Sequence, residues 1–493
     1  MNMNARDQFD ARFELSPNVT GRFYIDGAWS APSSSELLTL VSPVTEEITA
    51  RVPAGAEADM GAAISAARRA FDSGPWPQLS PKQRGVYLSR IAAEMRARQN
   101  LFERVWTAQV GAPAWFTGAF TGLAAAYFQY YAGLADTFEF EDERKVAAGR
   151  AKVIREPVGV CALIVPWNAP LILLSQKLAA ALLAGCTVVV KPSPETPFDA
   201  LLLAECLEAS GLPPGVVNIV PAGRETGDWL VRQPEIDKVS FTGSTAAGKH
   251  IAAVCADRLA RVSLELGGKS AAIICDDADL NAWLASVAPF TMPFCGQICF
   301  SQTRVLVSKK RHDEVLDAYV SAVRTMNVGD PWDASTHVGP LSMARQRDRV
   351  QGYIESAKRE GARLVTGGGA VPGHDRGYFI APAVFDRVTS RMRIAREEVF
   401  GPVISVLTFD DEEEAVRIAN DSDYGLSGTV FAGDLCRAER IARRVRTGNI
   451  SVNGLQLDPS APFGGYKQSG IGREGGPEGL EAFLEVKTLY LPR

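Results

Sequence analysis

Four short stretches place a chemically useful side chain beside residues that free or turn the backbone. In Gly296-Gln-Ile-Cys299 a cysteine falls in an expected loop, where a thiolate assisted by a helix N-terminus or a cation acts as a nucleophile. In Glu265-Leu-Gly-Gly-Lys269 a carboxylate ends a strand, and the two glycines leave it uncrowded enough to serve as a general base toward water. Pro166-Trp-Asn168 follows another strand and carries an amide able to donate a hydrogen bond to an oxyanion. Phe241-Thr-Gly-Ser-Thr-Ala-Ala-Gly248 runs from a strand into a helix, so Gly243 and Gly248 allow an anion such as pyrophosphate to approach the helix N-terminus. Taken singly, each has a plain structural alternative: a buried filler cysteine, a solvated glutamate, a turn asparagine, and a strand-helix turn that needs glycine. The glycine spacing is also not GxGxxG.

The elements that must position these residues read as an α/β chain. Helical spacing of apolar residues predicts helices at Asp59 to Phe71, Gln83 to Arg98 and Leu171 to Leu183. Short apolar runs predict strands at Val158 to Val165, Thr187 to Val190, Val216 to Val220 and Lys238 to Phe241. A second α/β series is expected from Val262 to about Phe431, with strands near Ala271 to Ile274, Thr303 to Val307 and Val403 to Phe409. The rhythm predicts two lobes built on doubly wound parallel sheets, with ligands beyond the carboxyl ends of the strands.

Composition bounds the function classes. A chain of 493 residues with 46% hydrophobic and 22% charged residues has enough sequence for two or three domains. The net charge of -5 and the absence of a long Lys/Arg run exclude the usual footprint of a nucleic-acid binder. Met1 to Ser35 lacks a signal-peptide pattern and no apolar stretch reaches bilayer length, so a cytoplasmic protein with no membrane partner is expected. Eight cysteines without CxxC spacing and four scattered histidines point to reduced thiols and no metal site.

Together and in this order, the motifs closely resemble the aldehyde dehydrogenase superfamily over nearly the whole chain. The matching stretches also include Lys191-Pro-Ser193, Glu397-Glu-Val-Phe-Gly-Pro402, Tyr424-Gly-Leu426 and Pro462-Phe-Gly-Gly-Tyr-Lys467. The resemblance implies an α/β fold with a variant Rossmann cofactor domain (1–133 and 153–263), a catalytic domain (264–468) and oligomerisation segments (134–152 and 482–493). It makes Cys299 the nucleophile, Asn168 and the Cys299 backbone N–H the oxyanion donors, Glu265 the base, and Lys177 with Glu474 a proton relay. It assigns the dinucleotide to Trp167, Lys191, Ser193, Gly243, Ser244, Gly248, Leu266, Glu398 and Phe400.

NAD+ is the expected cofactor, with NADP+ as the alternative. Pro194 stands where many NAD-preferring relatives have a glutamate, and Glu195 comes one residue later, which lessens repulsion of a 2′-phosphate. The substrate funnel is assigned to Ala169, Leu173, Gln176, Pro293, Ile298, Phe300 and Leu457. Their small or aliphatic character implies a medium-sized apolar aldehyde: a terpenoid such as geranial, or an aliphatic or aromatic one. The strand Leu484 to Leu491 and the segment near Phe138 to Ile154 imply a homodimer or homotetramer. Cys295 is expected to pack, with disulfide trapping of Cys299 as the alternative. Competing activities are a non-catalytic family member, a coenzyme A-acylating dehydrogenase, which the presence of Glu265 disfavours, and a thiol esterase side reaction.

Overall fold

The computed structural model describes residue 13 and residues 15–492; the rest of the leading segment and Arg493 lie outside them. Two large sheets dominate. The first has eight strands, ordered Gly470–Ile471, Arg261–Glu265, Lys238–Thr242, Val160–Ile164, Thr187–Lys191, Val217–Ile219, Phe23–Ile25 and Ala28–Ser30. Its five middle strands run parallel, and the outer ones are antiparallel. Residues alternate between its two faces, both covered, which explains why the central strands Val160–Ile164 and Thr187–Lys191 are mainly apolar. Cys161, Leu163, Val188 and Val190 pack under the helices Pro81–Ala97, Gly122–Leu134 and Pro170–Ala184. Val160, Ala162, Ile164 and Val189 face Met60, Leu230 and Ile251 on the opposite helical layer. Each such aliphatic side chain removed from water contributes about 1.5–3 kcal/mol, so both layers are held firmly to the sheet.

The second sheet is ordered Arg363–Thr366, Ala383–Asp386, Val403–Phe409, Arg304–Ser308, Ala271–Ile274, Gly428–Phe431 and Ser451–Val452. Here Ala271, Ile273 and Leu306 face one apolar cluster, whereas Ala272, Ile274, Val305 and Val307 face another. A third, antiparallel sheet joins Glu141–Val146, Gly149–Pro157 and Leu484–Pro492. The C-terminal strand thus exists as expected and pairs along its length with Gly149–Pro157 of its own chain.

Two expectations change. The strand Arg261–Glu265 does not open the second lobe; it pairs in register with Lys238–Thr242 in the first sheet, so Leu264 and Glu265 belong there. The ligand rule about carboxyl ends holds for the first sheet alone. In the second sheet, the loops that meet the cleft precede their strands: Cys299 lies before Arg304–Ser308 and Glu398 before Val403–Phe409. The lobes therefore face each other with opposite strand ends.

Arg304 shows how a buried charge fastens this junction. Its Nε donates to the Lys269 carbonyl at 2.9 Å, and Nη1 and Nη2 donate to the Ile418 and Ala419 carbonyls at 2.9 and 2.8 Å. The last two close the C-terminus of helix Glu412–Asn420. Arg304→Ala would strand three carbonyls, so urea unfolding is expected to show a loss of about 3 kcal/mol or more, only partly restored by Arg304→Lys.

Candidate active site

The parallel register of the first sheet aligns its strand ends into a row. Thr242 pairs with Glu265, and Ile164 with Lys191, so the loops that follow open on one edge. Trp167, Asn168, Gly243, Ser244, Glu265 and Leu266 line the resulting cleft, and Cys299, Glu398 and Phe400 line it from the second lobe. Cys299 also lines a second cavity, with Asn168, Ala169, Leu173, Gln176, Ile298, Phe300 and Leu457. These two cavities bring together Cys299, Glu265, Asn168 and most of the expected cofactor and substrate residues, whereas Lys177, Glu474, Lys191, Ser193 and Gly248 line neither. Pro293 is buried in the turn Pro293–Gly296 and does not line the tunnel. Gly248 is a spacing residue: a Cβ there would stand 2.5 Å from Leu266 Cδ2, so its role is to let Leu266 close on helix Thr245–Asp257. Cys295 is fully buried in the second-lobe core and serves packing.

Cys299 is held by its backbone. A Cβ at Gly268 would stand 2.5 Å from the Cys299 carbonyl oxygen, and one at Gly296, where φ is +71°, would stand 2.3 Å from the Gly401 carbonyl oxygen. The nucleophile loop is therefore seated between the loop after Glu265 and the loop after Glu398, and neither approach tolerates a side chain. Asn168 Nδ2 donates to the Gln297 carbonyl at 2.9 Å, and the Asn168 carbonyl accepts from Trp106 Nε1 at 2.9 Å. One amide N–H thus anchors Asn168 to the nucleophile loop, leaving the second for a ligand. Burial, with the Glu398 and Glu265 carboxyls nearby, pushes the Cys299 thiol up, so the resting group is a thiol that needs a base.

Glu265 is 4% exposed, and neither carboxylate oxygen has a hydrogen-bond partner among the described residues. Burial first, then the negative field of Glu474, raises its pKa well above the ordinary range; Lys177 and Arg473 oppose this. Lys177 and Glu474 form a buried ion pair, and the second oxygen of Glu474 is unpartnered. A raised, desolvated carboxyl beside a second acid is suited to taking and passing a proton.

The dinucleotide fit rests on the cleft's donors and faces. Ser244 caps helix Thr245–Asp257, leaving first-turn N–H groups beside Gly243 for an anion. Glu398 accepts from the Gly268 N–H at 3.0 Å and is raised to about 7 by burial, which suits it to ribose hydroxyls. Trp167 and Phe400 meet edge to face at 5.5 Å. Lys191, lowered to about 8 by burial, donates to the carbonyls of Pro192 and Ala222 at 3.0 and 2.9 Å. The Ser193 hydroxyl donates to Glu195, which is paired with Arg345.

Several lining residues escaped the sequence reading. Gln346 donates to the Phe400 carbonyl at 2.7 Å and Arg349 to the Glu398 carbonyl at 2.6 Å, holding the loop that carries both. Nothing local marks them, because their helix, Ala344–Arg359, is polar on most faces. Phe116, Phe120, Leu123 and Tyr127 line the tunnel, and their near-helical spacing was a usable signal. Among the described residues there is no cluster of three potential metal ligands and no helix long and apolar enough to cross a membrane.

Comparison with known proteins adds an independent line. Residues 29–489 match the family model described as the aldehyde dehydrogenase family. The chain is 46% identical to geranial dehydrogenase from Castellaniella defragrans, with 95% of this chain and 98% of that protein covered. It resembles a crystal structure of Mycobacterium tuberculosis aldehyde dehydrogenase complexed with NAD+, at TM-score 0.94 and 44% identity, over 96% of this chain and 98% of that one. It also resembles a mutant of aldehyde dehydrogenase C from Pseudomonas syringae in complex with NAD+ and octanal, at TM-score 0.92 and 41% identity, over 96% and 97%.

Linkage gives a stability test of the buried carboxyl. With its folded pKa above the unfolded value, Glu265 binds more protons in the native state, so its burial costs increasing stability as pH rises from about 4.5 through the folded pKa. Thermal melts are expected to show Glu265→Gln more stable than the native protein at pH 8, with the gap closing toward pH 4.

Proposed function

The chain belongs to the aldehyde dehydrogenase family, and on that premise we propose that it oxidises medium-sized apolar aldehydes to carboxylic acids through a thioester on Cys299. NAD+ is its cofactor, the dinucleotide bound in the solved relatives. The observation that carries the reading is the place of Cys299, which lines both the cleft and the apolar tunnel. A substrate aldehyde and the cofactor can therefore reach the same sulfur from different cavities.

Glu265 accepts the Cys299 proton, and the thiolate attacks the aldehyde carbon. The oxyanion that forms takes hydrogen bonds from the free Asn168 amide N–H and the Cys299 backbone N–H. Gly243, Ser244, Lys191 and Glu398 would hold NAD+, which would supply the hydride acceptor. The Glu474–Lys177 pair carries that first proton away, so Glu265 is ionised again when it takes a proton from the water that attacks the thioester, and the pair carries this second proton away in turn. Because Glu265 is present, buried and unpaired, the acyl group goes to water instead of coenzyme A.

The tunnel carries the substrate choice. Phe116, Phe120, Ile172, Leu173, Ile298 and Phe300 offer apolar contact along its length and no arginine to grip a carboxylate. Octanal on the P. syringae relative and the geranial activity of the C. defragrans relative agree with this. With Pro194 in place of a ribose-binding carboxylate, NADP+ is accepted as a poorer alternative. Val486 and Tyr490 are exposed on one face of the C-terminal strand and Leu489 on the other, apolar surface that supports assembly into a homodimer or homotetramer.

The test is reduced-nicotinamide absorbance with NAD+ and a panel of aldehydes. Cys299→Ala is expected to abolish turnover, and Asn168→Ala to lower kcat about 10²–10³-fold. Glu265→Gln, tested with quenched-flow, is expected to show at most one turnover of hydride formation and to lose steady-state turnover about 10²–10⁴-fold. In the native protein the acid limb of kcat should lie well above the usual carboxylate range, because Glu265 must be ionised to act. Octanal should be favoured over succinic semialdehyde; the reverse order would overturn the apolar assignment.

A further inference from the structure

The tunnel is largely apolar, with polar side chains such as Asn449, Gln456 and Asp458 also in its wall, and two of its polar residues are hydrogen-bonded to each other. Gln176 Nε2 donates to the Tyr127 hydroxyl at 2.6 Å, and both side chains are buried and line the tunnel. Helix geometry explains their placement. On helix Pro170–Ala184, Ile172, Leu173 and Gln176 share the tunnel face, while the next residue, Lys177, turns inward to Glu474. On helix Gly122–Leu134, Leu123 and Tyr127 are one turn apart and face the same space.

The pair is only half used by its own hydrogen bond. In that bond the tyrosine oxygen accepts, so its O–H proton remains free, and the amide oxygen of Gln176 makes no hydrogen bond to a described residue. Burial raises the Tyr127 pKa and keeps the phenol protonated, hence a donor. A free donor and a free acceptor side by side are complemented by one group that both accepts and donates. A hydroxyl does this: its oxygen accepts from Tyr127 and its proton goes to Gln176. A ketone or ether meets only the donor, and a hydrocarbon meets neither.

We propose that the Tyr127–Gln176 pair is a specificity-determining polar anchor, and that the preferred substrates are aldehydes carrying a hydroxyl group partway along an otherwise apolar chain. This deepens the aldehyde-oxidising reading above and rests on it. The anchor lies six residues into helix Pro170–Ala184, whose start follows Asn168 in the chain, a helical rise of about 9 Å, on the order of the length of a six- to eight-carbon chain. An apolar tunnel without such an anchor penalises a hydroxyl, because the group is desolvated with nothing in return. A tunnel with one reverses the sign, and a site that hydrogen-bonds a substrate hydroxyl discriminates against the analogue lacking it.

The experiment compares kcat/KM, with NAD+, for alkanals and the matching ω-hydroxyalkanals of about four to ten carbons. The native protein is expected to favour the hydroxyaldehyde by about tenfold at one or two adjacent lengths, and not at four carbons. In Tyr127→Phe and in Gln176→Leu the ratio at that length should fall to about one or below. Butanal, too short to reach the anchor, reports whether each variant is folded and active, and Tyr127→Phe preserves the ring that packs there. A native ratio of one or less at every length overturns the proposal, as does a preference that survives both substitutions. Absence of turnover with every aldehyde would instead overturn the oxidation reading beneath it.

Discussion

A carboxylate kept out of water without a hydrogen-bond partner is the constraint around which the rest of this molecule is arranged. Glu265 costs stability where it stands, since a buried carboxyl is not compensated by any donor. The fold tolerates it because the strand that ends there is registered against Lys238–Thr242 over five residues on one side and against the edge strand Gly470–Ile471 on the other, in an eight-stranded sheet with helices on both faces. The segment around Gly464 closes over it so tightly that a Cβ there would stand 2.6 Å from Glu265 Oε1. Desolvation raises the affinity of the group for a proton, which is the property a general base working near neutrality requires.

The same dry environment governs the nucleophile. Cys299 is pushed toward the thiol by burial and by two neighbouring carboxyls, so reactivity depends on a base and on donors already in place. Both are supplied by backbone geometry. The loops after Glu265 and Glu398 press on the cysteine loop at glycines, and Asn168 is tied to that loop through the Gln297 carbonyl. The preorganisation is therefore carried by main-chain contacts between two lobes, with Arg304, Gln346 and Arg349 pinning the lobe that moves chemistry toward the first sheet.

Opposed strand ends make this meeting geometrically possible. In the first sheet the functional loops leave carboxyl ends, beside the helix N-terminus that Ser244 caps. In the second they enter amino ends, so two sheets of similar architecture contribute unlike chemistry to one cleft. An apolar tunnel also reaches Cys299, lined in part by helices whose other faces belong to the first-lobe core.

Much of this was legible in the linear chain. Glu265, Asn168 and Cys299 each follow a short apolar run or a glycine that marks a loop, and local chemistry of that kind survives in any tertiary setting. The strands Ala271–Ile274 and Val403–Phe409 were readable to the residue, because burial on both faces leaves an uninterrupted apolar run. Three things only the tertiary structure decided. The strand ending at Glu265 joined the first sheet because register is a long-range property that one strand does not encode. Gly248 and Pro293 moved from ligand contact to packing, because a glycine or proline looks alike in both roles until its neighbours are known. Gln346 and Arg349 reached the site because a helix distant in sequence turns that face toward it, and side-chain direction across a tertiary contact depends on packing that no local pattern records.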